Sequence, residues 1–509
     1  MSSQHATRTV VDGEPAPPAQ ILRSERDGRW TFAVVVATGF GVLLAVGLAY
    51  HALWRDELQG WAIARHSETP WELLHNLRYE GHPPLWYLVL WLPARITSST
   101  VALQGLQWAT ATSTVFLFAR FAPFSRWLRV VFALGYFPLF EYGVLTRSYS
   151  LGLLIVVAIL AVADRRPRSW TTLGVLLGLL ALTSVFGIIL ALSLALGLVC
   201  QRDPAGAWHL RDRDSRVGAA FLALGALLSA CLVRPPADGL YTAWRTAYEP
   251  DALTRVLSTP WRALVPAPHL QTAWWNTNAL DRSPDVAMLL GVAVVVLVAL
   301  VLRRHTEAVV VWVTTTLLTI GLTYARDLPL WLRQEGTLYV AFVAATWIAC
   351  AHRGVRPSRA IRDLVAVVFV VQAAIGIASF AAAGTTQFTG ADAAARWIAD
   401  HERNDVVLVG DNAAVLSSVA YRLDRSIVFP EKPSGEPFVL WKRALQPSAP
   451  SDLSEARGAH DLAMRIARRD AHPVLLVLRE PLPDDTGARL LAQFPGGIVG
   501  DERYWIYAP

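Results

Sequence analysis

Uninterrupted apolar runs of membrane-crossing length constrain this chain more than any other feature. Trp30–Tyr50, Val286–Leu302 and Ile361–Phe380 approach or exceed the roughly 18–20 residues a helix needs to span a hydrocarbon core. A soluble protein would have to bury many such helices in one core. Composition argues the same way, with 54% of residues hydrophobic and 17% charged, where ordinary soluble domains carry about a quarter. Further runs at 83–97, 101–119, 127–145, 148–163, 171–200, 216–233, 307–325 and 333–350 bring the expectation to 11–13 spans. The run 171–200 is long enough to be two short helices meeting near Thr183–Gly187. Several of the 20 tryptophans stand at the ends of runs, where an interfacial aromatic belt belongs.

The net charge of +6 is carried almost wholly by arginine, Lys432 and Lys442 being the only lysines. The arginines cluster in short loops between apolar runs, which is a topology signal and excludes a nucleic-acid footprint. Residues 1–29, with Pro15, Pro17 and Pro18 before Arg23, Arg26 and Arg29, read as a disordered cytoplasmic tail. The span after it is too long for a cleaved signal peptide and reads as a retained anchor. Farther on, Arg211, Arg213 and Arg216, then Arg303 and Arg304, then Arg353, Arg356 and Arg359 mark inner loops. That leaves 234–285 and everything after about 382 outside the cytoplasm. The first half closes less simply. Strict alternation places Arg165, Arg166 and Arg168 outside, so one segment between 83 and 200 is miscounted or does not cross. Cys200, Cys231 and Cys350 form neither a ligand cluster nor a disulfide framework.

From about Gly384 the pattern changes. Short β-like runs (Val406–Val409, Ile427–Phe429, Val474–Leu478, Tyr504–Tyr507) alternate with helical stretches at Asp392–Glu402 and Leu453–Arg469. The alternation predicts a small extracytoplasmic α/β domain over 384–509. Gly410-Asp411-Asn412 reads as a plain strand-to-helix turn, since no glycine-rich phosphate loop accompanies it.

The most informative stretch is the first outer loop, 51–82. Its sequence predicts two short amphipathic helices lying in the interface. One starts near Asp56 and the other at Thr69-Pro70-Trp71-Glu72, with Thr69 as cap and Glu72 closing a capping box. Asp56 has two readings: N-cap of the first helix with Gln59 as its capping-box partner, or general base facing an acceptor hydroxyl. Glu57, about 100° around the helix, either orients that base or binds sugar. His82, before Pro83-Pro84, is an interfacial residue or a binding group. Arg147, in Arg147-Ser148-Tyr149, is a topology charge or a phosphate clamp, since guanidinium matches phosphate in two-point fashion. Arg333, at the outer start of a span, is a second clamp candidate. Trp261, Trp274 and Trp275, in the outer loop 234–285, line a groove or anchor that loop.

The order of these motifs resembles the GT-C glycosyltransferases, nearest to the protein O-mannosyltransferase and lipid A aminoarabinose transferase branch. The resemblance rests on Asp56-Glu57 after the first span, His82-Pro83-Pro84-Leu85-Trp86-Tyr87 opening the next, and Arg147-Ser148-Tyr149. It covers about 30–150 and is compatible with the body to about 380. It implies a mainly α, polytopic, GT-C-like membrane fold and an inverting transfer from a polyprenyl-phosphate-linked sugar to a glycan, lipid or protein acceptor. In that scheme Asp56 deprotonates the acceptor and an arginine holds the donor phosphate, with Glu57, His82, Arg147, Tyr149 and Arg333 as substrate-binding residues. No cofactor and no metal site is assigned. A transporter or flippase of a lipid-linked glycan would show paired interrupted spans, which the sequence lacks; a non-catalytic binder of such a glycan is the third reading.

Overall fold

The computed structural model describes residues 19–509, apart from 166, 202–211, 241–243, 327–330, 352–356, 402–404, 431–437, 444–451 and 471. Most of the expected tail lies outside the described residues, but its last part does not. Helix α1 runs Ala19–Tyr50, so 19–29 extends the first span as helix instead of forming a disordered tail. Pro18 is the last proline before it, and nothing downstream interrupts the hydrogen-bond ladder.

Two short helices follow, α2 (Arg55–Arg65) and α3 (Pro70–Asn76), as the loop's amphipathic pattern predicts. The next apolar run, 83–97, forms only α4 (Leu85–Ala94), which folds back along α2. At its end Arg95 donates to Ala64 O (3.1 Å), Arg65 donates to Ala94 O (3.3 Å), and Trp91 Nε1 donates to Ser67 O (2.8 Å). Its two ends therefore stay at one end of the molecule. At 10 residues α4 is too short to span a bilayer by itself.

Helix α5 (Val101–Phe121) starts beside the end of α1, where Gln104 donates to Leu48 O, and finishes beside its start, where Arg120 covers the Trp30 ring. Helix α6 (Arg126–Ala133) and a π-helix (Tyr136–Val144) lead back to Arg147. The run 127–145 was expected as one regular span; Pro138 removes an N–H from its middle, and the backbone widens there. Helix α7 (Ser148–Ala163) returns to the far end, where Asp164 accepts from Trp347 Nε1 near the end of α14 (Leu332–Ala351). Helices α8 (Trp170–Ala181) and α9 (Val185–Cys200) are the two halves expected of 171–200. They turn at residues 182–184, and Arg168 before α8 meets Gln201 after α9 (2.7 Å). Helix α10 (Arg213–Val233) packs on α8 so closely that a Cβ on Gly174 would lie 2.0 Å from Gly218 O. Only glycine permits that approach.

After α10 come α11 (Pro250–Leu264) within the loop 234–285, then α12 (Pro284–Leu302), α13 (Thr306–Arg326), α14 and α15 (Arg359–Thr385). Among the described residues five helices are by themselves long and apolar enough to cross a membrane: Gly28–Tyr50, Arg213–Val233, Pro284–Leu302, Thr306–Arg326 and Arg359–Thr385. The protein is a mainly α, polytopic membrane protein.

The C-terminal region is α/β, as expected. Helices α16 (Ala391–His401), α17 (Ala413–Leu423) and α18 (Asp452–Asp470) accompany strands β1 (Val407–Gly410), β2 (Ile427–Val428), β3 (Val474–Leu478), β4 (Arg489–Phe494) and β5 (Tyr504–Ala508). The sheet order is β2-β1-β3-β5-β4, parallel across β2-β1-β3 and antiparallel beyond. Strand β4 escaped the sequence reading because it is a partly exposed edge without an apolar run. Asn412 caps α17 by accepting from Ala414 and Val415 N–H (both 3.1 Å), and Asp411 accepts from Arg479 N–H, so the turn after β1 is structural. This unit, the first loop and the loop 234–285 meet at one end of the bundle. Leu240 N–H donates to Trp441 O (2.9 Å), Tyr79 Oη donates to Asp238 (3.0 Å) and Trp275 N–H donates to Ile498 O (3.3 Å).

Candidate functional site

The site is built on the first turn of α2, and the sequence misreads its capping. Trp54, not Asp56, is the N-cap. The Trp54 N–H goes to Glu57 Oε2 (3.0 Å) and the Arg55 N–H goes to Glu502 Oε1 (3.0 Å). Gln59, expected as Asp56's capping partner, instead exchanges two bonds with the Val439 backbone (2.8 and 3.0 Å) and donates to Glu80 (2.8 Å). In α3 Thr69 caps as expected, accepting from Glu72 N–H (3.1 Å). The Glu72 carboxylate, however, takes the N–H of Glu68 rather than of Thr69.

Relieved of capping, the Asp56 carboxylate faces two arginines from separate spans. Arg333, in the first turn of α14, reaches it at 2.8 Å, and Arg147, the N-cap of α7, at 3.8 Å. Arg147 also donates to the Asp56 backbone oxygen. Burial alone pushes the Asp56 carboxyl up, but Arg333, Arg147 and Arg55 outweigh it and hold it down at about 2. Three of the expected residues, Asp56, Arg147 and Arg333, thus converge.

Arg333 is enclosed by aromatic rings. Its guanidinium carbon lies 5.5 Å from the Trp54 ring and 5.6 Å from the rings of both Trp275 and Trp331. Such faces stabilise a cation without neutralising it. Arg333 Nε and Nη1 are buried, with no hydrogen-bond partner among the described residues. The loop tryptophan Trp275 therefore does more than anchor, whereas Trp274 packs on Phe140 in the core.

His82 stands beside Arg147, Nε2 to Nη2 at 3.4 Å. Burial, then the charge of Arg147, holds its imidazole down at about 4. His82 is accordingly a neutral acceptor that aims Arg147, not an additional cation. Tyr149 stacks on Tyr142 (5.6 Å between centroids) and hydrogen-bonds Gln334, bridging the starts of α7 and α14. Glu57 does not fit the sugar-binding role expected of it. It is 1% exposed, and its oxygens accept from His51 Nε2 (2.8 Å), Trp54 N, Thr146 N (2.5 Å) and Thr146 Oγ1 (2.8 Å). With every lone-pair direction engaged by protein, it fixes α2 against the residue before Arg147. Glu80 is an acid the sequence reading left unassigned; burial pushes it up to about 7 against the favourable Gln59 and Trp441 hydrogen bonds.

A cavity of about 900 Å³ lies behind α2, lined by Leu53, Leu58 and Arg65 on one side and by Asp392, Arg396 and Tyr421 on the other. It does not include Asp56, Arg147 or Arg333, so the chemistry is placed by the converging charges and not by the cavity. Among the described residues no three His, Cys, Asp or Glu side chains stand together as metal ligands.

Neither protein-family models nor curated proteins give a match to the chain. Among solved structures it is similar to ArnT from Cupriavidus metallidurans, in the apo state (TM-score 0.37) and bound to undecaprenyl phosphate (TM-score 0.39). Each is 15% identical, covering 93% of this chain and 97% of that one. A likeness at this level carries no functional argument, and the candidate site stands on its own geometry.

Proposed function

We propose that this chain is a membrane glycosyltransferase that moves a sugar from a polyprenyl-phosphate carrier to an acceptor hydroxyl on the extracytoplasmic side. The observation that carries the reading is Arg333: a buried guanidinium in an aromatic enclosure, tied to Asp56 by one nitrogen, with its other two nitrogens unpaired among the described residues. An anion with several acceptor oxygens answers that arrangement, and a lipid-linked phosphate brings one to the membrane boundary. Arg147, aimed by His82, supplies the second cation.

Asp56 then serves in two ways. While it pairs with the arginines its basicity is suppressed. A donor phosphate drawing on the same guanidinium groups removes that suppression and leaves a buried carboxylate whose proton affinity rises. The base is thus strengthened when substrate is bound. The acceptor oxygen attacks the anomeric carbon as its proton passes to Asp56. The anomeric carbon–oxygen bond breaks, and its electron pair departs with the polyprenyl phosphate, stabilised by Arg333 and Arg147 in a low-dielectric site. A single displacement inverts the anomeric centre. The extracytoplasmic sidedness is supported by charge: Arg165 and Arg168 stand between α7 and α8, and Arg303 and Arg304 between α12 and α13, as arginines of cytoplasmic loops would.

Asp56→Asn tests the reading, since it keeps shape and removes basicity. Transfer from polyprenyl-phosphate sugars should fall by roughly 10²–10⁴-fold, with donor binding retained. Donor binding without turnover in the wild-type protein would identify a binder, and wild-type turnover by Asp56→Asn would remove the general base from the scheme.

A further inference from the structure

We infer that the C-terminal α/β unit is a clamp on the catalytic helix, with Glu502 as the positioning residue that fixes Asp56. The catalytic consequence rests on the reading above, whereas the clamp itself does not. Three tethers carry it. Glu502 Oε1 takes the N–H of Arg55, the residue next to Asp56, at 3.0 Å, and lies 3.7 Å from its guanidinium. Arg55 also pairs with Asp501 at 2.6 Å. Arg422, on α17, donates to Leu53 O, just before the helix. One turn along, Gln59 is held at both ends of its amide by the backbone of Val439.

The geometry explains why outside help is needed. A helix leaves its first N–H groups unpaired, and a side chain of the N-cap usually takes one of them. Trp54 offers no acceptor, so two of the orphan donors at the start of α2, the Trp54 and Arg55 N–H groups, are satisfied by Glu57 from within and by Glu502 from another part of the chain. Leu58 and Trp61 to Ala64 are buried in one apolar cluster that packs the body of α2, and the tethers fix its first turn. Glu502 is fully buried, and its second oxygen accepts from Thr389 Oγ1 in the link between α15 and α16. One carboxylate therefore joins the start of α2, the exit of the last span and the final hairpin. It also sorts the arginines. Glu502 and Asp501 draw the Arg55 guanidinium to their side of α2, leaving the Asp56 carboxylate to Arg333 and Arg147.

Two measurements on the full-length protein test this. In amide hydrogen exchange, Glu502→Ala should lose protection in a peptide covering 54–60 while one covering 85–94 is unchanged. Glu502→Gln, whose amide oxygen still accepts the Arg55 N–H, should keep it. In turnover with a polyprenyl-phosphate sugar, Glu502→Ala should lower kcat about 10²-fold with donor KM little changed, because the phosphate-binding arginines sit on other elements. Glu502→Gln should return kcat to within about three-fold. If Glu502→Ala does not accumulate, Gln59→Met releases the third tether and is expected to give the same exchange pattern and kcat loss. Unchanged exchange at 54–60 in the tested variant would overturn the clamp. Exposed amides with unchanged kcat would overturn the positioning role. A wild-type protein that keeps the protection pattern but transfers no sugar would sink the transferase reading and leave the clamp standing.

Discussion

Two arginines near the start of α14 are used in opposite ways. Arg262, from the loop 234–285, has each side-chain nitrogen matched: Nε to both oxygens of Glu335 (2.8 and 3.0 Å), Nη1 to Asp281, and Nη2 to Asn276 O (3.2 Å). Arg333, two residues from Glu335, has one nitrogen on Asp56 and two unmatched among the described residues. Arg333 is buried, Arg262 is nearly so, and both meet carboxylates, so burial and charge alone do not tell them apart. Completeness does. A fully matched guanidinium is an anchor, and here it anchors the other. Through Arg262, and through Asn276 Oδ1 accepting from Leu332 N–H (2.6 Å), the loop grips the residue before Arg333 and the one two after it. The loop 234–285 thus holds Arg333, as the C-terminal unit holds the start of α2.

The difference can be broken by exchanging arginine for lysine at each position. Arg333→Lys keeps a charge but loses the forked donors, and should lower donor-dependent turnover about 10²-fold, with the melting temperature little changed. Arg262→Lys should do the reverse. It leaves Glu335 and Asp281 incompletely paired, at a cost of roughly 3 kcal/mol in stability, and lowers kcat by no more than about ten-fold because the start of α14 loosens. Were the two variants to lose turnover and stability in the same proportion, anchor and clamp would not be separate roles.

A smaller effect sharpens the same distinction at His82. Its imidazole is held at about 4, below its ordinary value, so it takes a proton only as pH falls through that point. Above about pH 5 it is neutral, and donor KM should show no His82-dependent step between about pH 5 and 7. His82→Gln retains an acceptor for Arg147 and should raise donor KM only about two-fold, His82→Ala about ten-fold. A KM that improves as pH drops through about 6, with the step absent in His82→Ala, would make His82 a phosphate-binding cation.

The parts of this site that were legible in the sequence are those whose chemistry is conspicuous where it stands. Asp56, His82, Arg147 and Arg333 are ionisable residues at the ends of apolar runs, where an ordinary side chain would be apolar or interfacial. The two-helix reading of 171–200 was available for a similar reason, since the polar Thr183-Ser184 and Gly187 interrupt a uniform background. What was hidden depends on contacts distant in sequence. Glu502 is an unremarked acid in a hairpin, and only proximity to Arg55 gives it meaning. Thr146 and His51 are everyday residues that matter because Glu57 lies between them. Asp56 was readable as a cap because Gln59 has the right spacing, but spacing does not reveal that Gln59 faces Val439. Helix α4 passed for a span because an apolar run has the same composition whether it meets lipid or protein.

The contact between Arg55 and Glu502 joins residues 447 positions apart. Synthesis runs from the amino end, so every span has been made before the final hairpin exists to receive α2. A chain made only as far as α15 holds Asp56, Arg147 and Arg333 but not the carboxylate that takes the Arg55 N–H. A chain cut before β5 lacks Glu502 and with it the acceptor of the Arg55 N–H.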